Sequence, residues 1–117
     1  MSAVTAEDIE RIEDKINRFD KIMASLLSDI NSTTDRKKLD KVNPDLDKCN
    51  ATYDKWNSCS SELVDKYRSQ VRSEGIPKAG EELSEGWKEV GKKYQEVTAL
   101  RDSLTESLRI VWEILLS

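Results

Sequence analysis

Residues 83–116 read LSEGWKEVGKKYQEVTALRDSLTESLRIVWEILL, and their apolar spacing decides the fold. Trp87, Val90, Tyr94, Val97, Arg101, Leu104, Leu108, Val111 and Leu115 follow alternating steps of three and four, a heptad seam with Arg101 as its one charged member. A seam of that length describes one long helix that must bury a stripe against other helices. Two further stripes of the same period lie upstream.

The first runs through Ile9, Ile12, Ile16, Phe19, Met23, Leu26 and Ile30. Ile22 and Leu27 widen it, which suits contact with two partner helices rather than one. Thr5 is placed to cap, with Asp8 three residues on, and Glu7, Asp8 and Glu10 complement the positive end of the helix dipole. Asp14 and Arg18 pair at i, i+4 on the outside. Asn31, Ser32, Thr33 and Thr34 prefer turns and predict the stop.

The second stripe is Leu46, Cys49, Tyr53, Trp56, Ser60, Leu63 and Tyr67, with Lys66, Arg68 and Arg72 near the negative end of the dipole and Gly75-Ile76-Pro77 as terminator. Its start has two readings. Either a short helical turn covers 35–42 and Asn43 caps a new helix with Pro44 at its first position, or one helix runs through with a kink. An interior proline costs about 3 kcal/mol, which favours the first. The third helix is expected from about Lys78. Gly80, Gly86 and Gly91 lie in its first half, consistent with a frayed start, close packing beside Trp87 or a hinge, and Glu89 is placed to pair with Lys93.

The expectation is an all-α, up-down-up antiparallel three-helix bundle with coiled-coil-like packing, helices near 5–31, 44–73 and 78–116, in a single domain over 1–117. The 117 residues suffice for one core, and 36% charged residues with four Gly and two Pro suit long helices with solvated faces. A net charge of -4 argues against nucleic acid. Charges at Glu7, Asp8 and Glu10 argue against a signal peptide, and no apolar run approaches a membrane span, so a cytoplasmic location without membrane insertion is expected. The sequons at Asn31 and Asn50 are then chance matches.

Chemistry finds few candidates. The chain has no histidine, which removes the usual general base and the commonest metal ligand. Cys49 and Cys59 stand about 15 Å apart along one helix, too far to bridge. Cys49 is expected buried and Cys59 partly exposed. Glu81, Glu82 and Glu85, like Asp45 and Asp47, sit near helix N-termini, where a solvated acidic face is the ordinary outcome. No catalytic, metal or cofactor-binding residue is therefore expected, and the chain reads as a non-enzyme.

What remains is interaction. Leu108–Leu116 holds seven apolar residues in nine, and Ile110, Trp112, Ile114 and Leu116 exceed the needs of the seam. These four are the candidate partner-binding residues, for self-association or a protein partner. The chain also resembles a spectrin-type repeat in its length, its three heptad helices and the third-helix residues Leu83, Trp87, Val90, Leu104 and Leu108. Trp87 matches that family's early third-helix tryptophan. The family's first-helix tryptophan has no counterpart here, where Phe19 is the only aromatic, and Trp56 is no family hallmark. The resemblance implies a structural or adaptor segment of a cytoskeletal or scaffolding protein. Syntaxin N-terminal domains share the periodicity and imply the alternative, a regulatory bundle in membrane traffic that binds a helical partner.

Overall fold

A computed structural model describes residues 4–32 and 35–116; the expected stop at Thr33 and Thr34, and the sequon residue Thr33, lie outside them. Four helices account for most of this length: α1 (Ala6–Glu10), α2 (Ile12–Asn31), α3 (Arg36–Glu74) and α4 (Glu85–Leu116). The described residues contain no strand. The body is elongated, 54 × 25 × 18 Å.

Three boundaries differ from the sequence expectation. The first helix is broken at Arg11, whose backbone (φ -107°, ψ 10°) leaves the helical region while its N–H reaches back to Asp8 and Ile9. Nothing in Ile9–Ile12 marks this break. The second helix starts at Arg36 and runs straight through Pro44, so the proposed restart at Asn43 does not occur. Asp35 caps it, accepting from the N–H groups of Lys37 and Lys38. Val42 and Leu46 are both buried in one cluster, and continuing the helix is what keeps them in phase. Asp40 and Pro44 are exposed, so the carbonyl that Pro44 fails to bond faces water.

The third helix starts at Glu85 rather than Lys78. Gly75 (φ 74°) and Gly80 (φ 79°) both take left-handed conformations in the connection, which continuing helix forbids. Ser84 then opens α4, its hydroxyl accepting from Trp87 N–H at 3.4 Å and donating to Glu74 at 2.5 Å. Gly91, inside α4, leaves room for Val4: a Cβ there would stand 3.3 Å from the Val4 side chain. Close packing thus explains Gly91, and turn geometry explains Gly80.

α3 and α4 are the closely packed pair, while α2 stands off at greater backbone separation. Lys38 at the start of α3 donates to the Leu115 carbonyl at the end of α4 (2.9 Å), so this pair runs antiparallel. Glu13 and Asp20 of α2 meet Arg68 (2.7 Å) and Tyr53 (2.5 Å) of α3, again in opposite directions. Lys15 reaches Tyr94 Oη of α4 at 3.1 Å and lies over its ring. Lys93 pairs with Glu62 across α3–α4 and with Glu96, rather than with Glu89. Asp14 and Arg18 pair as expected, at 3.2 Å.

Side chains from the helices build two core clusters. One is aliphatic: Met23, Leu27 and Ile30 of α2 meet Val42, Leu46 and Cys49 of α3 and Leu104, Leu108, Val111 and Leu115 of α4. The other is richer in aromatic rings: Ile9 and Ile12 meet Trp56, Leu63 and Tyr67, with Trp87, Val90 and Val97. Leu27 is the buried member of the widened α2 stripe, and Ile22 points outward.

Candidate functional site

α4 is helical to Leu116, so its last turns can be read face by face. Val111 and Leu115 are buried, and the carbonyl of Leu115 is held by Lys38. The start of α3 therefore reaches the end of α4.

The four candidate contact residues divide into two pairs. At about 100° per residue, Trp112 and Leu116 fall on one side of the buried seam, and Ile110 and Ile114 fall roughly 160° away on the other. Leu116 is 79% exposed and Ile110 37%, whereas Trp112 and Ile114 are half-buried against the aliphatic cluster. Part of the apolar excess is therefore absorbed by the core.

Helical phase shows where the first pair faces. Trp112 stands five turns beyond Tyr94, which meets Lys15 of α2, so Trp112 and Leu116 lie on the flank toward α2. Ile22 lies two turns beyond Lys15 on the facing side of α2 and is 55% exposed, with Leu26 half-buried beyond it. Ile22 and Leu26 on α2, and Trp112 and Leu116 on α4, thus lie on the flanks that these two helices turn toward each other. The spacing from Lys15 to Ile22 was visible in the sequence, but only the Lys15–Tyr94 contact fixes which edge it lines.

Arg109, the only cation in the last turns, is engaged on both sides by Glu106 and Glu113, and these carboxylates push its pKa further up. Its charge is spent within the helix.

Cys49 is buried, and burial pushes its thiol pKa up; Cys59 is half-buried. Among the described residues no group of Cys, Asp and Glu is arranged to hold a metal ion. No helix among them is long and apolar enough to cross a membrane. The carboxylates of Glu62 and Glu106 are held below their usual range by hydrogen bonds from Lys93 and Arg109, as in surface ion pairs.

No protein-family model matches the chain, and neither a curated protein nor a solved structure is significantly similar to it.

Proposed function

We propose that the chain is a non-enzymatic structural or adaptor module, an up-down-up bundle in which α1 and α2 form one leg beside α3 and α4, acting through contact with another protein. The observation that carries this reading is the exposure of large apolar side chains on the facing flanks of α2 and α4, Leu116 at 79% and Ile22 at 55%. Leaving large apolar side chains in water forfeits about 1.5–3 kcal/mol each, which a helical partner or a second copy would recover. The elongated body and the antiparallel helices fit a spacer or scaffold segment such as the spectrin-type resemblance implies.

The test is sedimentation of the wild type beside an Ile22→Glu, Leu116→Glu double variant and an Ile110→Glu variant. Concentration-dependent association of the wild type is expected, lost in the double variant and retained in Ile110→Glu, with helicity unchanged in all three. A wild type that stays monomeric at high concentration would remove self-association. A loss through Ile110→Glu alone would move the contact to the other flank.

A further inference from the structure

α1 and α2 read as one helix in the sequence and stand as two in the structure. Ile9, Glu10, Arg11 and Ile12 include no proline, glycine or serine, the usual causes of a kink, and arginine is a good helix former. Arg11 nevertheless takes φ -107° and ψ 10°. Its N–H bonds the Asp8 carbonyl at 3.3 Å, three residues back, where a continuing helix would bond four back. Contacts outside this stretch therefore hold the break.

Those contacts lie on α4. Val4, half-buried ahead of α1, sits over Gly91, where an added Cβ would stand 3.3 Å from the Val4 Cβ. Gly91 lies inside α4 without a left-handed φ, and an interior glycine weakens a helix, so its use here is to admit Val4. Trp87 stands one turn before Gly91, and Val4 packs on the cluster that contains it. Lys15 makes a second clasp across the break, donating to Asp8 of α1 at 3.2 Å and to Tyr94 of α4 at 3.1 Å.

Straightening at Arg11 would disturb little of the core. Ile9, Ile12 and Ile16 stand three and four residues apart, so a continuous helix keeps all three on one stripe. It would also recover the regular hydrogen-bond spacing. The contacts given up are those of Ala6, which is small, and Val4, which is only half-buried. We propose that α1 is a two-state latch. Closed, it bends at Arg11 and Val4 covers Gly91; open, residues 6–31 form one straight helix and the Gly91 flank of α4, beside Trp87, is bare. The latch sits at the Trp87 end of the molecule and is independent of the flank carrying Trp112 and Leu116.

The test follows Arg11 by NMR in ¹³C,¹⁵N-labelled protein. Its three-bond HN–Hα coupling is large at a φ of -107° and small in a helix, and the wild type should show the large value. Gly91→Ala brings a Cβ against Val4, and Gly91→Leu fills the space that Val4 occupies. The coupling should fall partway in the first and to the helical value in the second. In both, the amide protons of 6–10 should keep their protection, because the segment straightens without melting. Adding Arg11→Asn, a poorer helix former, to Gly91→Ala should shift the balance about twofold back toward the closed state. If Gly91→Leu does not fold, the alanine variant decides alone. The proposal is overturned if the wild type already shows the small coupling, or if the coupling stays large in the variants that fold, which would make the break a fixed feature. It is equally overturned if the coupling falls together with protection at 6–10, which would make α1 a fraying end.

Discussion

The two halves of the core are held by different physics. The buried lower half, around Leu104, Leu108 and Val111, is aliphatic but for the sulfurs of Met23 and Cys49. The upper half, around Trp56, Tyr67 and Trp87, brings rings with polar atoms into or beside the core. Tyr53 finds Asp20 and Tyr94 finds Lys15, whereas the Trp56 N–H finds nothing. Phe19 and Tyr53 touch both clusters and join them. An aliphatic core tolerates rearrangement so long as volume is kept; a core with directional bonds does not.

The largest expected effects test that contrast directly. Leu104→Ala should cost about 2–5 kcal/mol in urea unfolding and Trp56→Ala about 3–5, because both side chains are almost fully buried. Leu104→Met should cost under about 1.5 kcal/mol. If the Leu104→Met loss matches that of Leu104→Ala, the lower half is not the adaptable one.

Next in size is a gain. Pro44 sits inside α3, where it removes a backbone hydrogen bond, and Ala is about 3 kcal/mol more favourable at an interior helix position. Part of that is returned because proline also restricts the unfolded chain. Pro44→Ala should therefore stabilise the protein by about 1–2 kcal/mol. A neutral result would restore the alternative in which a helix starts at Pro44, since proline is at home in a first turn.

These residues also show what was legible beforehand. On α3 the stripe from Leu46 to Tyr67 is buried at every position but Tyr53, which is half-buried, because a heptad repeat with no competing pattern leaves one solution. At Pro44 the local cost of an interior proline points to a new helix, and the burial of Val42 and Leu46 in a shared cluster overrides it. The start at Glu85 was missed because Leu83 continues the heptad phase, while the left-handed turn at Gly80 and the Ser84 cap end the connection later. On α4 the apolar excess says how many residues must leave the seam but not on which flank.

The thiols report on the two halves without changing them. Cys49 lies in the lower cluster at 0% exposure, and Cys59 packs half-buried against the upper one. Thiol labelling of the folded protein should modify Cys59 at least tenfold faster, with Cys49 reacting only through unfolding, since burial blocks the reagent and disfavours the thiolate, about tenfold for each pKa unit. Equal rapid labelling would mean that the lower cluster opens readily.

The smallest effect belongs to the upper end, where the capping box of α1 holds the first residues in place. The Thr5 hydroxyl accepts from Asp8 N–H (3.3 Å) and donates to the Asp8 carboxylate (3.0 Å), which also accepts from Thr5 N–H (3.1 Å) and Lys15 (3.2 Å). The Thr5 backbone N–H, ahead of Lys15, holds the Asp8 carboxyl below its usual range. Folding thus lowers this pKa, so the box contributes fully above the ordinary carboxylate range and its contribution fades as pH falls through the folded value. Thr5→Ala should cost about 1 kcal/mol near neutral pH, and less in acid, where the protonated Asp8 bonds weakly in either protein. Asp8→Asn should flatten the acid limb of the stability curve relative to wild type. Lys15 links the box to Tyr94, so the amide protons of 6–10 should exchange faster in both variants while those around Leu104 keep their wild-type protection. Loosening that spread to Leu104 would mean the two halves unfold as one unit, and the contrast between them would be one of composition alone.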